Sequence, residues 1–122
     1  MSWMAVLGLT VGGVALTVTP AWSAAEPLAC EVSANAPYED FSFVHGVVNR
    51  SGCGDNVDLQ SWLFADISFW PDPQIGYGSA RLVNGSVNGA GPCDREGHAN
   101  YYNQARTDTG QTSPESQRRL LC

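Results

Sequence analysis

Four cysteines, Cys30, Cys53, Cys93 and Cys122, limit what this chain can fold into more than any other feature. All four follow a stretch, Met4 to Val18, in which nearly every residue is apolar or small, and no charged side chain occurs before Glu26. A membrane span takes about 20 residues of sustained apolarity. The shorter run here suits the hydrophobic region of a signal peptide. Pro20 ends it, and the small residues Ala21, Ser23 and Ala25 allow cleavage after Ser23 or after Ala25. We therefore expect residues 1–25 to be a signal peptide and residues 26–122 to be a secreted, extracellular domain. The residues before the run, Met1 to Trp3, lack Lys and Arg, which departs from the usual pattern and leaves an uncleaved anchor as the alternative.

An even number of cysteines behind a signal peptide reads as two disulfides formed in an oxidising compartment. No pair has C-x-x-C spacing, so zinc and redox readings lack support. Four cysteines can pair in three ways. Joining neighbours, Cys30 to Cys53 and Cys93 to Cys122, would close two local loops and is the preferred expectation. The immunoglobulin-like alternative joins Cys53 to Cys93 and calls for a Tyr two residues before the second cysteine; Gly91 stands there. A domain this small buries only about 60–65% of its unfolded surface, so a covalent supplement to its core is expected.

The net charge is −6, and the six basic residues are all arginines. An acidic balance opposes nucleic-acid binding, which needs a basic footprint. It also opposes adhesion to anionic membranes once the signal peptide is gone.

Beyond residue 26 helical periodicity is absent, and β-rich segments alternate with Gly, Asn, Asp and Pro clusters. Cys30–Ser33 reads as a first strand, broken by Ala36-Pro37. Phe41–Val48 reads as a second, with Phe41 and Phe43 on one face and Gly46 at a bulge. Arg50–Asn56 is expected to be a loop holding Cys53. Val57–Asp66 is the clearest strand: Val57, Leu59, Ser61 and Leu63 share one face, and Asp58, Gln60, Trp62 and Phe64 share the other. Ile67–Trp70 continues it or begins another strand, until Pro71-Asp72-Pro73 forces a turn. Tyr77–Val87 reads as a strand or hairpin turning at Asn84-Gly85. Asn88–Gly97 is expected to be a Gly-rich loop holding Cys93. Asn100–Thr107 is a polar strand, Asp108–Pro114 a turn-rich connection, and Ser116–Cys122 a last strand. Six or seven short strands predict an all-β domain, a small two-layer sandwich or open barrel.

The motifs that carry chemistry are weak. Trp70-Pro71-Asp72 resembles the acid loop of tyrosine phosphatases, but that chemistry needs an arginine six positions after a thiolate cysteine. Leu59 and Ala99 stand at those places. His45 and His98 are the only histidines, and no nucleophile elbow accompanies them, although Asp94 and Glu96 lie close to His98 in sequence. Asp55, Asn56 and Asp58 form a fragment of a calcium loop without its Gly and distal Glu. Asn49-Arg50-Ser51 and Asn84-Gly85-Ser86 fit the N-glycosylation rule, as surface sites in a eukaryotic host. No catalytic residue, metal or cofactor is expected. The remaining candidates are the aromatics Trp62, Phe64, Phe69, Trp70, Tyr77, Tyr101 and Tyr102. Trp70, Tyr77, Tyr101 and Tyr102 are the candidate binding residues, since exposed aromatics stack on sugars or anchor protein partners. Trp62 and Phe64 share a face, and one of them is expected to pack inward. Tyr101 and Tyr102 must point to opposite faces, so one is expected to be exposed.

The arrangement Cys30, Gly52-Cys53-Gly54, Cys93 followed by Tyr101-Tyr102, and Leu121-Cys122 resembles small secreted proteins widespread in actinobacteria. The absence of lysine with abundant Gly and Ala fits a GC-rich genome of that kind. That resemblance implies no function. The layout is also similar to the tendamistat-type α-amylase inhibitors, small secreted β proteins with two neighbour-paired disulfides. Their inhibitory Trp-Arg-Tyr triplet does not occur here, and neither Arg81 nor Arg106 has a flanking Trp. These features lead to the expectation of a monomeric, non-enzymatic extracellular module binding a protein or glycan. The alternative is a proteinaceous inhibitor of a secreted hydrolase, with Asp72–Gly78 as the candidate for a protruding rigid loop.

Overall fold

The computed structural model describes residues 29–122; the expected signal peptide lies outside the described residues. Eight antiparallel strands follow one another: β1 (Glu31–Ala34), β2 (Tyr38–Asp40), β3 (Phe43–Ser51), β4 (Val57–Asp66), β5 (Gln74–Leu82), β6 (Gly85–Pro92), β7 (Ala99–Thr107) and β8 (Arg119–Leu121). They form one sheet in the order β1-β3-β6-β5-β4-β7-β8, with β2 also paired to β3. The sheet curls on itself into an open half-barrel, the all-β class expected from the alternating pattern. None of the described residues forms a helix, so none offers one long and apolar enough to cross a membrane.

Strand β4 shows why the sheet forms where it does. Its burial alternates strictly along Val57–Asp66, with Val57, Leu59, Ser61, Leu63 and Ala65 buried. A period of two puts every second side chain on one face of a pleated strand. Strands β5 and β6 pair in register only at Tyr77 and Ala90. A Cβ on Gly78 would strike the Asn88 backbone, and one on Gly91 would strike Ile75. Asn88–Pro92 is therefore strand and not the expected Gly-rich loop: glycines there let two backbones cross closely.

Other boundaries also differ from expectation. Phe41 and Ser42 form a turn at positive φ, between β2 and β3, rather than the start of a strand. Gly46 lies within regular β3–β6 pairing, and the register shift falls instead at Leu63/Phe64. Arg50 and Ser51 belong to β3. Ile67–Trp70 leaves the sheet. The last strand shrinks to Arg119–Leu121 because Ser113 and Ser116 each meet β7 through one backbone bond and one hydroxyl bond, with the Ser oxygen standing in for the carbonyl of a regular ladder.

The interior has two apolar clusters. Val32, Val48, Leu59, Val87 and Ala105 fill one end. Val44, Leu63, Ala65, Ile75 and Tyr101 fill the other. Between them sits a buried polar waist. Ser61 Oγ lies 2.8 Å from both the Gly46 carbonyl and Asn103 Oδ1, and Asn103 Nδ2 donates to the Val47 carbonyl at 3.1 Å. Any side chain at Gly46 would collide with Asn103, at 2.6 Å from its Cγ. Buried polar groups of this kind must be hydrogen-bonded, and these are.

The disulfides are Cys30–Cys53 and Cys93–Cys122, the neighbour pairing. They span 23 and 29 residues and sit at opposite ends of the half-barrel. Loops of this size correspond to about 3 kcal/mol each on the chain-entropy model.

Candidate functional site

Two surfaces collect the aromatic residues, and they differ in kind. The first is the outer face of β4, β5 and β7. The pleat that sends Leu59 and Leu63 inward sends Trp62 and Phe64 outward, so neither packs into the core as expected. The inner positions are already filled by smaller aliphatic side chains. Trp62 stacks on Phe64 with ring centroids 6.4 Å apart, and Phe64 stacks on Tyr102 at 5.2 Å. Tyr77 meets the Trp62 edge at 5.8 Å. An arginine closes each end of this row: Arg106 lies 4.3 Å above Trp62 and Arg118 lies 4.0 Å above Tyr102. Gln60 accepts the Trp62 indole N–H at 2.8 Å. The row is thus occupied by its own partners, leaving Tyr77, 47% exposed, as its open member.

The second surface is the end of the half-barrel that holds Cys93–Cys122. Loop 67–73 leaves β4 there. Within it Phe69 is fully exposed and Trp70 is 74% exposed. Phe41, 91% exposed, projects from the β2–β3 turn at the same end, and Phe43, two positions on, and Leu120, in β8, are exposed as well. Phe41 and Phe69 both hold positive φ, a costly conformation for a bulky residue.

The 67–73 loop is braced from within. Asp72 Oδ1 accepts the Ile67 N–H at 3.0 Å, Asp72 Oδ2 accepts the Tyr102 hydroxyl at 2.6 Å, and the Ala65 N–H donates to the Pro73 carbonyl at 3.1 Å. The Tyr102 hydrogen bond, then the Ile67 N–H, holds the Asp72 carboxyl below its ordinary range. Burial, then the bond to Asp72, pushes the Tyr102 hydroxyl far upward, so it stays a donor. Arg118 steadies the same network through Asp66, at 2.7 Å, and Glu115, at 3.3 Å. The Trp-Pro-Asp segment is thus a structural clamp.

The four candidate binding residues are not brought together. Trp70 stands in the braced loop and Tyr77 on the outer face. Tyr102 faces outward but is buried beneath Arg118. Tyr101 points inward and has no exposed surface. The expectation that one of this pair is exposed thus fails, because a cation covers the outward ring. Burial, then the carboxylates of Glu96 and Glu39, raises the Tyr101 hydroxyl, which donates to the Gly97 carbonyl. The sequence pattern singled out Phe69 together with Trp70, but not Phe41, Phe43 or Leu120. The available signal was a bulky aromatic beside turn-forming residues, as in Asp40-Phe41-Ser42.

The weaker motifs find other uses. His45 stacks on Tyr38 at 5.1 Å and contacts Asn88, and His98 has no described carboxylate or serine partner. Asp55 binds Arg50, and Asp58 accepts from Gln60. Among the described residues, the one tight group of metal-ligand types is Glu39 with Cys93 and Cys122, whose sulfurs are joined to each other. Asn84 brackets Cys53, accepting its N–H and donating to its carbonyl, and Asn49 is bonded to Asn35 and Ser86. No family model, no curated protein and no solved structure matches this chain.

Proposed function

We propose that this chain is a secreted, non-enzymatic binding module whose contact surface is the aromatic end carrying Phe41, Phe69 and Trp70. The observation that carries the reading is the braced 67–73 loop, which holds two large aromatics in water. Exposing such side chains forfeits about 1.5–3 kcal/mol of burial each. Their placement is explained if a partner covers them. The occupied outer row speaks against glycan stacking there, so the partner is an extracellular protein. Inhibition of a secreted hydrolase is the second reading. It is favoured by the rigid projecting loop, at 67–73 rather than 72–78, since Gln74–Leu82 is β-strand.

The test compares the oxidised protein with a Phe69→Ala/Trp70→Ala double variant in capture from host culture supernatant. Loss of about 2 kcal/mol or more per anchor, roughly thirtyfold in affinity, is expected. A Tyr77→Ala control should capture normally. Capture that survives the double variant but fails in the control would move the contact surface to the outer row.

A further inference from the structure

Beside the aromatic end lies a pocket of about 450 Å³. Phe43, Pro92 and the Cys93–Cys122 disulfide supply its apolar lining; Ser42, Asp94 and the Gly97 backbone supply the polar part. A second carboxylate stands close by: Glu39 lies within 4.8 Å of both disulfide sulfurs and accepts the Cys122 N–H at 2.9 Å. Asp94 is exposed, and no described cation or donor pairs with it.

We infer that this pocket receives one basic side chain, arginine or lysine, of the partner protein. The inference rests on the aromatic end being the contact surface and adds what the partner must offer. Arginine and lysine combine an apolar stem with a charged head. The pocket combines an apolar lining with an unspent carboxylate, which suits both parts at once. The surroundings agree in sign. Glu39, Asp40, Asp66, Asp94, Glu96 and Glu115 lie at this end against Arg95, Arg118 and Arg119. Arg118 is committed to Asp66 and Glu115, and neither Arg95 nor Arg119 lines the pocket. An acidic rim steers a basic partner toward the contact and repels an anionic one. The pocket at the opposite end, about 350 Å³, also sets a carboxylate, Glu31, beside a disulfide cysteine, Cys30, but it is smaller and no aromatic side chain lines it. Gln111 lines it and bonds to Cys30 and Arg50 there.

The probes are N-acetyl-arginine methylamide and its neutral isostere, N-acetyl-citrulline methylamide, titrated into the ¹⁵N-labelled, oxidised protein. Saturable shifts are expected at the amides of Cys93, Asp94, Gly97 and Cys122. Citrulline should bind about tenfold more weakly, because a charge-assisted hydrogen bond is roughly twice as strong as a neutral one. Asp94→Asn should abolish the arginine shifts, and Asp58→Asn at the far end should leave them intact. The inference is overturned if arginine produces no shifts at these amides, if citrulline matches arginine, or if Asp94→Asn binds as well as the parent. Trp70→Ala should retain the shifts while losing capture of the partner, so failure of the pocket and failure of the aromatic surface give separate results.

Discussion

At the Cys30–Cys53 end, Arg50 projects inward from β3 and stops the core with a guanidinium that makes four hydrogen bonds. It donates to the Asp55 carbonyl at 2.7 Å, the Val83 carbonyl at 2.8 Å, the Asp55 carboxylate at 2.7 Å and Gln111 at 3.2 Å. At the Cys93–Cys122 end the core is stopped by Tyr101 and the disulfide, and beyond them Phe41, Phe69 and Trp70 stand in solvent. The backbones differ in the same sense. Left-handed positions at the first end are taken by Gly52, Gly85 and Gly110, for which that conformation carries no side-chain penalty. At the second they include Phe41, Ser42, Phe69 and Cys122. One end is built at low conformational cost and satisfies its polar groups. The other accepts strain and exposed apolar surface, a combination that marks contact sites more often than scaffolding.

The disulfides give the largest expected effect. Reducing both should unfold the domain at ordinary temperature. Their combined contribution of about 6 kcal/mol on the loop-entropy model is comparable with the low end of the roughly 5–15 kcal/mol available to a whole domain. Replacing Cys93 and Cys122 by serine should hurt nearly as much, because β8 is three residues long and has little else to hold it. Thermal melts with and without reductant measure this. A reduced protein that melts cooperatively near the oxidised midpoint would remove the disulfides from the account.

Arg50→Ala comes next. It strips partners from the Asp55 and Val83 carbonyls, each worth about 1–3 kcal/mol if left unsatisfied. We expect a loss of about 2–4 kcal/mol in urea denaturation. If the loss stays below that of an ordinary surface substitution, the first end is not closed by Arg50.

Acid should loosen both ends modestly. Asp55, Asp72 and Asp108 all titrate below the ordinary value of 3.8: Arg50 lowers Asp55, the Tyr102 hydroxyl lowers Asp72, and the Asp58 N–H lowers Asp108. A depressed folded pKa means the ionised form favours the folded state. That contribution is complete above the unfolded value and is lost as pH falls through the folded one, so the change is expected below about pH 4. The Ile67 amide, bonded to Asp72, reports it at the aromatic end by NMR titration. A midpoint at or above the ordinary value would contradict the clamp.

The smallest stability effect belongs to the residues with the largest proposed role in binding. Phe69→Ala and Trp70→Ala should change stability by no more than about 0.5 kcal/mol, as surface substitutions do. A loss above about 2 kcal/mol in the same denaturation assay would show that these rings support the fold, and the contrast between the ends would collapse.

Much of the architecture is legible in the amino-acid sequence. The alternation in Val57–Asp66 marks a half-buried strand, and it sorted Leu59 and Leu63 from Trp62 and Phe64 onto the faces they occupy. The even cysteine count and the absent Tyr at position 91 pointed to the neighbour pairing. Local signals sufficed because pleat and loop closure are local properties of the chain. The tertiary structure alone decided which side chains end in water. Arg50 looked like a loop residue, yet it is buried because its acceptors come from Val83 and Gln111, the latter 61 positions away. Tyr102 is buried because Arg118 covers its ring. Phe69 and Trp70 are exposed because Asp72 ties their loop to Tyr102, 30 positions further along the chain. Hydrophobicity is a property of each residue, whereas burial depends on which distant partners arrive to cover it.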